Sequence, residues 1–163
     1  MRRLSILAVP AVLVLGLSAC GGGGYDTETV KAKEKDTNDF GFNDAAPKTK
    51  VGKQGPETLS PGDQLSFRSL MLQDGKQVGE FDVNCSVVHG GNFDTARTQC
   101  TGTAGLAGGQ LSLMAGVTFG APVISGAIVG GTGKYKGAGG TFTSHNHDNA
   151  PNDDTFEIQI PKK

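Results

Sequence analysis

Tryptophan is absent from the chain, and no basic run disturbs the near balance of 15 Lys and Arg against 16 Asp and Glu. Without a basic stripe there is no electrostatic footprint for a phosphate backbone, so nucleic acid is not an expected partner. Long apolar runs are scarce as well. The stretch Leu4 to Leu17 is too short to span a bilayer comfortably. Beyond it no segment has the spacing of a helix of useful length. Nor is a phosphate loop completed: GGTGKYKG, residues 130–137, lacks the GK-[ST] ending and the helix that follows it. Glycine is abundant, 26 of 163 residues, which points to one small Gly-rich domain with extensions.

Residues 1–19 read as a bacterial lipoprotein signal peptide. Arg2 and Arg3 open it, an apolar segment follows, and Leu17-Ser18-Ala19-Cys20 runs straight into four glycines. The LSAC sequence matches a lipobox, which implies acylation of Cys20, cleavage before it, and anchoring of the mature protein on the extracytoplasmic side of a membrane. An ordinary secretory signal with a chance cysteine is the alternative. Residues 20–61 are polar, mixed in charge and without periodicity, and read as the lipidated cysteine and a flexible tether. Phe40 and Phe42 interrupt it, either docked on the domain, exposed, or marking a partner motif.

Residues 62–163 change character, to short alternating runs separated by turn residues, the pattern of an antiparallel β domain. Phe81, Val83, Cys85 and Val87 alternate with Glu80, Asp82, Asn84 and Ser86, so one face of this run is buried and the other wet. Leu65, Phe67 and Met71 share a face of the preceding run, with Asp74-Gly75 as the turn. Leu111, Leu113, Val117 and Phe119 share a face further on. Seven runs are readable. Cys85 and Cys100 balance about the loop Gly90-Gly91-Asn92-Phe93, which predicts a disulfide in an oxidising compartment, with two separate buried thiols as the alternative.

The segment Gly130 to Thr143, GGTGKYKGAGGTFT, is a corner in which glycines let the backbone reverse tightly while Tyr135 closes underneath. Its pattern resembles the signature of the allene oxide cyclase and dirigent family. That resemblance implies an eight-stranded antiparallel β-barrel, wide enough to be filled by side chains or to hold one small ligand. The eighth strand is expected from about Lys48 to Gln54, or from one long run shared between sheet segments. The resemblance also implies a barrel that binds or orients a small hydrophobic molecule, with Phe67, Phe81, Leu111, Leu113 and Phe119 as lining. A cyclase or isomerase of the allene oxide cyclase type, and an envelope interaction module with a filled barrel, are the alternatives.

Catalysis in such a barrel requires a carboxylate, tyrosine or histidine within the apolar cavity. Glu80, Asp82 and Glu157 alternate outward, which leaves Tyr135, His145 and the face of Thr141 and Thr143 as candidates, with Phe142 competing for the inward side. The acidic residues and tyrosine of plant dirigent pockets have no position-by-position match in this reading. His145 and His147 project from one side of a strand as two metal ligands would, but no second cluster completes a shell, so no metal and no cofactor is expected.

Overall fold

The computed structural model describes residues 24–45, 51–52, 55–147 and 150–162. The strands are β1 (Tyr25–Asn43), β2 (Val51–Gly52), β3 (Gly55–Pro56), β4 (Thr58–Leu59), β5 (Gln64–Gln73), β6 (Lys76–His89), β7 (Gly91–Asn92), β8 (Arg97–Leu106), β9 (Gly109–Val117), β10 (Val123–Gly131), β11 (Gly139–His145) and β12 (Asp153–Pro161). Eight of them close a barrel in the order β1-β12-β11-β10-β9-β8-β6-β5, every pair antiparallel. Closure removes the unpaired edges that an open sheet of this size would expose.

The eighth strand is β1, not a segment near Lys48 to Gln54. Residues 25–43, expected within the flexible tether, pair with β12 through Lys33 and with β5 from Lys33 onward. Its inward positions are Glu28, Val30, Ala32 and Glu34, too small or too polar to register as a buried face in the sequence. Backbone pairing on both sides holds the strand in place of side-chain bulk. A bulge between Asp36 and Asp39, with Asn38 at φ 63°, bends it within the portion paired to β5. Val51–Gly52 instead forms a small separate ladder with Gly55–Pro56. Phe42 packs against the core, and Phe40 is exposed at the barrel's rim.

The corner closes one end. A 3-10 turn, Gly133–Tyr135, lies against the β8–β9 turn, with the Lys134 amide donating to the Gly108 carbonyl at 2.9 Å and the Thr132 amide to that of Gln110 at 2.8 Å. Gly133 has φ 58°, and a Cβ there would overlap the Gly108 carbonyl, so only glycine permits this approach. Leu111, Ile128, Tyr135, Phe156, Ile158 and Met71 are buried together and fill the barrel at this end.

Candidate functional site: a half-open barrel cavity

At the other end the interior is hollow. A cavity of about 1310 Å³ opens between the loops that follow β9 and β11 and the bulge of β1. Phe67, Phe81, Val83, Leu113, Val117 and Phe119 line it. They lie there because each is an inward position of an alternating strand, or, for Phe119, of the loop that continues one. Phe81 and Phe142 pack together at 5.5 Å between ring centroids and rest on Phe156, with Phe142 and Phe156 at 5.0 Å. Nearer the mouth, Phe93 stacks on Phe119 at 4.7 Å, and Phe119 meets Phe67 edge-on at 6.1 Å. Asn146 fastens the rim by donating its side-chain amide to the carbonyls of Phe119 and Ala121 at 3.2 and 2.7 Å.

One wall is polar. Glu34 of β1 faces inward, where one carboxylate oxygen accepts from the Ser69 hydroxyl and the other from the Asn152 side-chain amide at 3.0 Å. Beside it Asp154 of β12 is 1% exposed, and neither of its oxygens has a hydrogen-bond partner. Ser144, opposite Asp154 across the β11–β12 pair, is also buried with an unpartnered hydroxyl. Glu34 and Ser144 line the cavity, with Asp154 directly behind them. Burial, then the charge of Glu34, push the Asp154 carboxyl up to about 7, against a smaller opposing pull from the nearby Ser144 hydroxyl, which completes no hydrogen bond to it.

The residues singled out from the sequence are distributed unevenly around this cavity. Phe67, Phe81, Leu113 and Phe119 line it, whereas Leu111 lies below it in the filled half. His145 projects outward and is exposed, as do Thr141 and, less fully, Thr143, because Phe142 and Ser144 take the inward face of β11. His145 is therefore not a cavity donor. Tyr135 is buried at the closed end, away from the cavity, where its hydroxyl donates to Glu28 at 3.2 Å and the Lys134 ammonium lies 4.7 Å over its ring. Burial raises its hydroxyl above the ordinary value, so it remains a neutral donor holding the corner to β1. Cys85 and Cys100 face each other in register on β6 and β8 and are joined by a disulfide, with Cys100 on the cavity wall. His147 pairs with Asp153 at 3.0 Å at the exposed rim of the cavity. Cys20 lies outside the described residues.

The sequence reading missed Glu34, Asp154, Ser144 and Asn152. A signal for Asp154 was present: stepping back by two from Ile158 and Phe156 reaches it on the same face. Glu34 offered none, since its strand was not recognisable.

No protein-family model matches the chain, and no curated protein matches it in sequence. Among solved structures it is similar to a pyocyanin demethylase, at 21% identity and TM-score 0.64, over 80% of this chain and 99% of that one. A pterocarpan synthase dirigent protein matches at 18% identity and TM-score 0.61, over 83% and 84% of the two chains. The fold is that of the dirigent-like barrels. The Diels-Alderase from Streptomyces koyangensis shares it at 12% identity and TM-score 0.57, over 83% of this chain and 64% of the enzyme. At these identities the likeness is one of fold, and the dirigent-like barrel is known to host more than one chemistry among these neighbours.

Proposed function

We propose that this dirigent-like barrel binds and orients a small, largely apolar molecule in its half-open interior, and that Cys20 anchors it by lipid to the extracytoplasmic face of a membrane. The observation that carries the binding reading is the hollow mouth half, walled by phenylalanine and aliphatic side chains and closed below by a packed core. A filled interaction module is less well supported, because the interior is not filled. The anchor rests on the LSAC site and the glycines after it.

A second reading, a cyclase or isomerase with stereochemical control, gains support from the Glu34 and Asp154 wall. A carboxyl held near 7 is half protonated at neutral pH, which suits it to exchange a proton with the Glu34 and Ser144 wall that meets the guest. Neighbours named as a dirigent synthase and a Diels-Alderase use the same architecture, which is consistent with either reading.

The test is displacement of an apolar fluorescent probe from the purified barrel, together with solvent extraction for co-purifying molecules. Ala115→Phe and Leu113→Trp fill the cavity and should each lower probe affinity about ten-fold or more, while His145→Ala, on the outer face, leaves it unchanged. Equal affinity in all three variants refutes binding in the cavity. Stereochemical enrichment in the cyclisation of an unstable epoxide, lost in Asp154→Asn, would move the assignment to the second reading.

A further inference from the structure

Among the described residues lining the cavity, the cationic groups are Lys35 and, when protonated, His147, both exposed at the rim. Inside the barrel the ionisable groups of the polar wall are both acids, Glu34 and Asp154. Glu34 receives one neutral donor on each oxygen, which orients the carboxylate but does not neutralise it. Asp154 receives none, and the adjacent Ser144 hydroxyl is equally unmatched. Buried polar groups are seldom left in this state, and where they are, the missing partner is commonly a ligand or water.

The remainder of the cavity narrows the choice of partner. Phe67, Phe81, Phe93, Phe119 and Phe142 present aromatic surfaces whose π faces are electron-rich and attract cations. The rim adds Asp36, Asp39 and Asp94, with Asp39 shared 3.8 Å from Arg68 of the outer face. An anionic guest would find Lys35 and, when protonated, His147 at the rim, but would meet only acids, Glu34 and Asp154, at the polar wall inside. A neutral guest would match the hydrogen bonds and leave the acids uncompensated.

Resting on the cavity-binding reading above, we propose that the guest is an organic cation: a protonated amine on an aromatic or polycyclic body, its nitrogen against Glu34 and Ser144, with Asp154 behind them as a second counter-charge. The body lies among the phenylalanines. The groups around Asp154 are Glu34 on β1, Ser144 opposite on β11, and Asp153 next along β12, which turns outward to Lys33 and His147.

Cation binding and Asp154 ionisation are then linked. A free Asp154 titrating near 7 is ionised in the complex, so at neutral pH the arriving ammonium expels a proton to the buffer. Amine affinity therefore rises between about pH 5.5 and about pH 8, as Asp154 loses its proton ahead of binding.

The experiment uses three probes of one shape: 1-naphthylmethylamine, 1-naphthylmethanol and 1-naphthoate, titrated calorimetrically into the intact barrel in buffers of different ionisation enthalpy. At about pH 8 the amine should bind about ten-fold more tightly than the alcohol, with the naphthoate weakest. Near pH 7 amine binding should release a fraction of a proton that the alcohol does not. Glu34→Gln and Asp154→Asn should each lower the ratio of amine to alcohol affinity, with circular dichroism reporting that the variants are folded; an unchanged ratio in both overturns the cation proposal. Equal binding of amine and alcohol, or preference for the naphthoate, overturns the cation proposal and leaves the cavity reading standing. Failure of all three probes to bind overturns both.

Discussion

Asp154 is the residue whose chemistry departs furthest from its ordinary behaviour. Its carboxyl is raised from 3.8 to about 7, first by burial and then by Glu34. A group whose folded value exceeds its unfolded one favours the folded state below the unfolded value, and that advantage disappears as pH rises through the folded one. The window is therefore about pH 4 to about pH 7, with stability from this group falling as pH rises. A carboxyl raised that far corresponds to at most about 4 kcal/mol. Asp154→Asn removes the charge at nearly constant shape, so it should stabilise the barrel by about 1–3 kcal/mol at pH 8 and by close to nothing at pH 4. Urea unfolding of both proteins at the two pH values checks this, and an equal effect at both would show that Asp154 is not the titrating group. Asp153 next to it behaves oppositely: Lys33 first, then His147, hold it below the ordinary carboxylate value. Two adjacent aspartates thus differ because one faces the barrel interior and the other faces water.

Among the elements, β1 closes the barrel although Ala32 is the one fully buried apolar side chain along it. It joins β12 to β5 and brings Glu34 to the polar wall. Removing residues 24–43 should leave β5 and β12 as open edges and uncover Met71, Phe156 and Ile158. We expect the truncated chain to lose its cooperative unfolding transition and to associate, as read by thermal circular dichroism and size-exclusion chromatography. A truncated chain that unfolds as sharply as the full one would restore this segment as a dispensable tether. The β6–β8 pair is reinforced differently, by a disulfide closing a separation of 15 residues, which contributes about 3 kcal/mol in a chain-entropy description.

On the scale of the whole molecule, the position of β1 bears on how an anchored barrel would sit. Tyr25 pairs with Pro161 at the closed end, beside the corner that Tyr135 and Lys134 hold to Glu28. Only Gly21 to Gly24 separate Cys20 from that strand, a reach of about 14 Å at full extension. With lipid on Cys20, the closed end would lie near the bilayer and the cavity mouth would face the aqueous side. Cys20→Ala should release the protein from membranes, and intact wild-type protein should carry the acyl mass. In reconstituted vesicles, lipid-borne quenchers should dim a fluorophore at Lys136 more than one at Asp94. The reverse order would place the mouth against the lipid.

Local pattern was sufficient for much of this molecule. Alternation and turn residues located the faces of β5, β6 and β9, because burying every second side chain is a rule each strand obeys by itself. The corner was legible because its glycines are required by local backbone geometry. The Cys85 and Cys100 pairing was legible because the two lie at similar distances on either side of one hairpin loop. Tertiary structure decided the rest. The inward face of β11 went to Phe142 rather than Thr141, Thr143 and His145, since burying a phenylalanine against Phe81 and Phe156 is favoured by about 2–3 kcal/mol over leaving it exposed. The strand identity of β1 depended on the hydrogen-bonding edges of β5 and β12, which exist only once the sheet has curled. The polar wall needed Glu34 and Asp154 side by side, and barrel closure, which joins the first strand to the last, is what makes these residues neighbours despite their separation in sequence.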